Sequence, residues 1–210
     1  MAVIESPTVA SRFVEVDANG NLQVNAGLPA HPTAGGFYIA TGGPAGIVAA
    51  GLANNVDLMA MRFAPGSVRK AYIDKFELII ATATVGVSGG VGGILGLRRF
   101  TTATPSGGTA RVAAEMNEPL TTATDMTSIQ DLASALTVTS VVFPSTGEIA
   151  QFRQNVSTVG KESVYTFEPS SAGGYPLVLQ PGDGLALSTR VALAATQTFV
   201  YSWRCIWREF

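Results

Sequence analysis

The chain has 210 residues, of which 47% are hydrophobic and only 13% are charged, and its net charge is −2. This composition excludes extensive disorder, and it leaves no basic excess for a direct nucleic-acid partner. Neutral side chains must therefore cover most of the surface. Because such a surface is easily desolvated, the composition favours a protein that works in contact with copies of itself or with partners.

The N-terminal region predicts an extended arm with a hairpin. Two alternating runs, residues 12–17 and 21–25, flank an Asn-Gly pair at 19–20, which is a strong hairpin signal. Segment 26–36 carries two prolines and closing glycines, and it reads as a linker. The first residues lack a basic start followed by an apolar run, so no secretory signal is predicted and synthesis in the cytoplasm is expected.

The remainder predicts an all-β body, so we expect two domains, an arm over 1–36 and a body over 37–210. Short β-prone runs separated by Gly, Pro and Asn indicate an antiparallel β-sandwich, jelly-roll-like, rather than a parallel α/β sheet. Segment 125–136 allows either a short helix or a strand. The predicted strands of the body are 56–63, 68–82, 91–100, 109–115, 136–143, 148–153, 159–167, 176–180, 184–191 and 196–208.

Residues 78–97 contain no charge and match the length of a membrane-spanning helix, so a membrane-active protein is one alternative. The glycine spacing in this run is also typical of packed membrane helices. Against that alternative, the run holds six glycines, and most of the rest favours strands. A hairpin explains the same residues better, with one strand that ends at about residue 85 and a second strand that begins at residue 94.

The last predicted strand, 196–208, has one aromatic face and one polar face. The aromatic face consists of Phe199, Tyr201, Trp203, Cys205 and Trp207, and the polar face includes Ser202, Arg204 and Arg208. The large aromatic rings on this face predict that it packs in the core. The alternative is that this face is a binding platform. Cys205 is the single cysteine, so it cannot form an internal disulfide, and its setting predicts a buried filler rather than a nucleophile.

The sequence carries no dinucleotide-binding, P-loop or catalytic-triad motif. Paired carboxylates for glycoside cleavage could lie far apart in the chain, but the small number of Asp and Glu residues disfavours them. Leu95 stands where a dinucleotide-binding fingerprint needs glycine, and Lys161 is followed by Glu162 rather than by Ser or Thr. The only histidine, His31, lies in the linker, where it can support neither a metal cluster nor a Ser-His-Asp triad. We therefore expect no enzyme, no catalytic residue, no cofactor, no metal and no small-molecule substrate. Asp183, in a Gly-Asp-Gly turn, is expected to cap its own backbone.

Two arginine pairs are the candidate interaction residues. Arg98 and Arg99 follow the uncharged run, and Arg204 and Arg208 lie on the polar face of the last strand. Arginine is enriched at protein interfaces, so these side chains are candidates for partner contacts. The alternative is that they only solubilise strand ends.

Several short sequence segments of the body, taken in order, carry a family resemblance. They are Tyr72-Ile-Asp-Lys-Phe-Glu-Leu, Leu97-Arg-Arg-Phe-Thr-Thr-Ala-Thr, Ser106-Gly-Gly-Thr-Ala, Asn117-Glu-Pro-Leu, Ile129-Gln-Asp-Leu-Ala and Tyr175-Pro-Leu-Val-Leu-Gln-Pro-Gly-Asp-Gly-Leu-Ala-Leu, followed by the Trp-containing last strand. Over residues 70–210 the chain resembles a group of tailed-phage virion proteins encoded near the head genes. The arm is not covered by this resemblance.

The resemblance implies a jelly-roll-like body that decorates or cements a capsid lattice. It further implies a location on the capsid surface of the virion, with the major capsid protein and copies of the chain itself as partners. A homo-oligomer is expected, with a trimer favoured. The alternative function is a jelly-roll spike or fibre-type module that recognises a host glycan or receptor, and the membrane-active protein through residues 78–97 is the third hypothesis.

Overall fold

A computed structural model of the chain describes residues 15–16, 22–23, 36–50, 52–53, 55–82, 94–101, 103–116, 123–132, 136–138, 148–153, 162–169, 177–192 and 198–210. The chain divides into two compact units, Met1–Thr33 and Ala34–Phe210.

The first unit contains one described hairpin. Strand β1 (Glu15–Val16) pairs antiparallel with β2 (Leu22–Gln23), with Glu15 opposite Gln23. The pairing confirms the predicted hairpin. Residues 26–35 of the predicted linker, including His31, lie outside the described residues.

The second unit is built from two large antiparallel sheets, so the described chain is all-β and forms a β-sandwich. Sheet I contains β3 (Gly36–Ala50), β5 (Ala71–Thr82), β9 (Ala114–Glu115), β13 (Glu162–Phe167), β14 (Leu177–Leu179) and β16 (Thr198–Glu209). Sheet II contains β4 (Asp57–Phe63), β6 (Ile94–Thr101), β8 (Thr109–Ala110), β10 (Met126–Asp131), β12 (Glu148–Arg153) and β15 (Asp183–Thr189). A small third sheet pairs β7 (Pro105–Ser106) with β11 (Thr137–Val138).

The strand orders follow a nested pattern. Sheet I runs β13-β5-β16-β3-β9, with β14 also paired to β5, and sheet II runs β12-β6-β15-β4-β10-β8. Early strands therefore pair with late ones, as β3·β16, β4·β15, β5·β13 and β6·β12. Chain neighbours such as β3 and β4 or β15 and β16 lie in opposite sheets. The nest interleaves the two sheets along the chain, because sheet II is incomplete until β15 is in place and sheet I until β16 is in place.

The core lies between the two large sheets. The Tyr201 hydroxyl of β16 donates to the Leu58 carbonyl of β4 at 2.7 Å, and Phe76 of β5 stacks on Phe152 of β12 with ring centroids 6.0 Å apart. Both contacts join sheet I to sheet II. Burying large aromatic side chains in this way supplies much of the hydrophobic stabilisation of a sandwich.

Sheet II is covered on its other face as well. All seven residues of β15 are buried, which a strand with one face in solvent does not show. The cover comes from the β7–β11 sheet, since the Val138 backbone N–H donates to Asp57 of β4 at 3.3 Å and the Gln130 amide donates to the Pro105 carbonyl at 3.1 Å. Asp57, Arg98 and Ser188, which lie on the outer face of sheet II, are therefore buried.

The prediction that residues 78–97 form a hairpin is wrong, because the two predicted strands do not pair with each other. The two strands exist as β5 and β6, but β5 lies in sheet I and β6 in sheet II. Each is already flanked by other partners, β5 by β16 and β13, and β6 by β15 and β12. Residues 83–93 lie outside the described part. Within the described ranges, no helix is long and apolar enough to cross a membrane.

Strand β3 is missing from the strands predicted by sequence. Its Gly42-Gly43-Pro44 stretch has the composition of a turn, yet the strand continues through a large bulge. Trp203 pairs with Gly42, while Tyr201 pairs with Ile47. Gly43 adopts a φ of 64°, a left-handed conformation that glycine tolerates best. The other differences are smaller. Ambiguous segment 125–136 contributes β10, and predicted strand 109–115 is broken into β8 and β9.

The close packing of β15 leads to a stability prediction. A Cβ added at Gly184 would collide with the Phe100 ring and with the Met61 carbonyl oxygen, which is backbone and cannot turn away. We expect Gly184→Ala to lower the free energy of unfolding by about 1–3 kcal/mol in urea titrations. The matched control is Gly66→Ala, because nothing lies within 4 Å of its added Cβ. A Gly184→Ala protein as stable as the control would contradict this packing.

Candidate interaction surface

Arg98, the first of the four candidate arginines, is buried. It is only 5% exposed, and its guanidinium binds Asp57 at 3.4 Å and donates to the Ser188 hydroxyl at 3.2 Å. The Ser188 hydroxyl donates in turn to Asp57 at 2.6 Å. Because Asp57 also accepts the Val138 N–H, this cluster holds the β7–β11 cover on sheet II.

Burial of the Asp57–Arg98 pair carries a desolvation cost for both charges. Burial raises the pKa of Asp57 against the opposing effects of Ser188 and Arg98, and burial lowers the pKa of Arg98 against that of Asp57. Desolvation is thus the larger effect on both partners. A raised folded-state pKa means that Asp57 contributes most to stability below its unfolded pKa and loses that contribution as the pH rises through the folded value.

Arg99 points to the opposite face of β6 from Arg98 and pairs with Asp183. Asp183 also accepts the backbone N–H of Gln180 at 2.8 Å, which confirms the self-capped turn expected from Gly-Asp-Gly. Arg99 therefore anchors the turn that precedes β15.

Arg204 and Arg208 both lie on the outer face of sheet I. Arg208 makes two hydrogen bonds to Asp74 of β5, at 2.8 and 2.6 Å. Arg204 donates to Glu77 at 2.6 Å, and Lys75 binds the same carboxylate at 2.6 Å. The Lys75 hydrogen bond and the Arg204 guanidinium lower the pKa of Glu77. Each arginine is thus neutralised by a carboxylate from the neighbouring strand.

Beside the Arg204–Glu77 pair, on its side away from Arg208, the outer face of sheet I carries a row without charge. Cross-strand register places Val164 opposite Ile79, and Ile79 opposite Ser202, so the three side chains form a row across β13, β5 and β16. Val164 is 62% exposed. We name this row the neutral row. It combines apolar and hydroxyl groups, which cost less to desolvate than charged groups do.

The aromatic face of β16 is core. Tyr201, Trp203, Cys205 and Trp207 are all buried, whereas the side chain of Phe199 lies outside the described part. The core prediction is confirmed for these four residues, and a binding platform formed by them is excluded. Cys205 is a free, fully buried thiol whose pKa is raised mainly by that burial.

Two buried carboxylates accept hydrogen bonds from the tryptophans of β16, and neither is predicted from the sequence. Asp131 accepts the Trp203 indole N–H and binds Arg111. Its partners lie 72 and 20 positions away in the chain, so local pattern gives no sign of them.

Glu209 is the second of these carboxylates and is fully buried. It accepts the Trp207 indole N–H and the Asp125 backbone N–H, both at 2.9 Å, and the Thr124 hydroxyl at 2.5 Å, while Arg69 lies at 3.1 Å. A local signal for it existed, because a carboxylate two residues from a tryptophan on one strand shares its face.

Among the described residues, no group of three or more His, Cys, Asp and Glu side chains is placed to hold a metal ion. The four candidate arginines fall into two groups, with Arg98 in the interior and Arg99, Arg204 and Arg208 nearer the surface. Their role in partner contacts stays a prediction.

No protein-family model matches the chain, and no curated protein is significantly similar to it.

Glu209 and Glu77 make a contrasting pair for mutation. Glu209→Ala leaves the indole N–H and Arg69 buried without their acceptor, so we expect a loss of about 3–5 kcal/mol of unfolding free energy. Glu77→Ala removes a partly exposed ion-pair partner and should cost less than about 1 kcal/mol. Urea unfolding of the two variants beside the wild type measures both. Equal losses would show that burial of Glu209 does not carry the stabilisation assigned to it.

The Cys205 thiol should report opening of the core. Because it is buried and its pKa is raised, we expect no reaction with a disulfide reagent such as Ellman's reagent under native conditions and full reaction in denaturant. Cys205→Ala serves as the blank, since the chain has one cysteine. Rapid labelling of the native protein would contradict the burial.

Proposed function

We propose that this chain is a structural protein of a tailed-phage virion that binds and stabilises the assembled capsid lattice. The sequence resemblance over residues 70–210 supports the virion class. The nested strand pairing supports the finer fold assignment, a jelly roll, because eight strands paired first-to-last across two sheets is the arrangement of that fold.

The observation that carries the proposal is the way charge is used on the outer face of sheet I. Arg204 and Arg208 are paired with carboxylates of the neighbouring strand, and the neutral row runs beside the Arg204–Glu77 pair as far as edge strand β13. Neutral side chains cost less to desolvate on contact with another protein than charged side chains do, and a charge already paired does not need a new partner there. A broad sheet face of this kind suits a lattice protein that covers a junction between subunits.

The proposed mechanism is thermodynamic linkage. A protein that binds only the assembled lattice stabilises that lattice by mass action, by about 2.7 kcal/mol per site when its free concentration is one hundred times its dissociation constant. Many such sites act together in one shell. Stabilisation therefore needs no chemistry from the bound protein.

The proposal is tested with particles that lack this protein. We expect them to release DNA at a lower temperature than complete particles, and we expect added purified protein to restore the release temperature. Ser202→Arg, which places a new charge in the neutral row, should bind weakly and restore little. Val68→Lys changes a 99% exposed loop residue and should restore fully. Unchanged DNA release from particles without the protein would refute the proposal.

A further inference from the structure

The four edges of the two large sheets differ in how they are protected. Edge strands β8 and β9 have two residues each, and β12 has a register shift between Glu148 and Ala150. Short strands and bulges are common devices against unwanted strand pairing. Strand β13 uses neither device, because its six residues pair with β5 in continuous register.

The composition of β13 also favours pairing. Its sequence, Glu-Ser-Val-Tyr-Thr-Phe, contains no proline or lysine, and its only charge is Glu162 at the start. The strand is firmly held from inside, since the Tyr165 hydroxyl donates to the Arg153 carbonyl at 2.6 Å and its ring packs on Phe152. Among the described strands, β13 is thus a long, regular edge of β-forming residues with an exposed valine at its centre.

We propose that β13 pairs antiparallel with β13 of a second copy of this chain, about a two-fold axis at Val164. A second copy is the partner because it brings an edge with the same lack of protection, and a two-fold contact uses the same surface on both chains. The two copies of sheet I then form one continuous sheet.

Cross-strand charges select the register. Residues that face each other across an antiparallel pair lie on the same side of the sheet, so the axis must pass through a residue position. Axes at Val164 and at Tyr165 give the longest overlap. The axis at Tyr165 sets Glu162 against Glu168 of the other copy, which is repulsive, whereas the axis at Val164 sets Glu162 against Thr166 and joins the two exposed valines.

The inference does not depend on the capsid proposal. It concerns the purified chain alone, so its test requires no particle, and each can fail without the other. A two-fold contact predicts dimers, in contrast to the trimer favoured by the sequence resemblance.

Sedimentation of the purified protein over a range of concentrations tests the pairing. We expect a monomer–dimer equilibrium for the wild type. Val164→Lys sets two like charges against each other at the axis and should raise the dissociation constant by about tenfold or more. The control, Val68→Lys, makes the same change at an exposed loop residue and should leave the dimer intact. Thermal unfolding of each variant verifies that both are folded.

A third variant tests the register. Thr166→Lys sets a lysine against Glu162 of the other copy twice per dimer, so the dissociation constant should fall by about twofold to tenfold. A wild type that stays monomeric, a trimer, or a dimer unaffected by Val164→Lys would overturn the proposal. Weakening by Thr166→Lys would overturn the axis at Val164.

Discussion

The fold depends on satisfying two indole N–H groups inside the core. Strand β16 carries Trp203 and Trp207 on its buried face, and each needs an acceptor where water is excluded. Asp131 of β10 and Glu209 of β16 supply these acceptors, and each carboxylate in turn requires a cation, Arg111 or Arg69. One aromatic strand thus determines the position of side chains from both sheets and from the loops between them.

This requirement also explains the character of the surface. Only 13% of the residues are charged, and among the described residues many of those charges pair inside or along the sheets. Arg98, which by sequence is a candidate for a partner contact, lies beneath the β7–β11 cover with Asp57. On the outer face of sheet I, the described charges near the neutral row are likewise paired, and this arrangement is the property on which the proposed function rests.

Local pattern predicts the parts of this fold that are governed by local constraints. The two-residue period of β16 predicts its buried face, and Asn-Gly predicts the first hairpin, since both depend on neighbours in sequence. Strand β3 is not predicted because its Gly42–Pro44 stretch forms a bulge in which Gly42 packs against Trp203, a residue far away in the sequence. The burial of Arg98 is not predicted because Asp57 lies 41 positions away and the cover of this pair includes Val138.

The nested topology decides which edges are open. The outermost pairs of the nest, β3·β16 and β4·β15, lie inside the sheets, while the late members of the innermost pairs, β13 and β12, lie at one side. The segment between β6 and β12 contributes β8, β9 and β10, and all three extend the opposite side. Because the added strands protect only that side, edge pairing by a partner is expected beside β12 and β13, and of these two only β13 has an unbroken register.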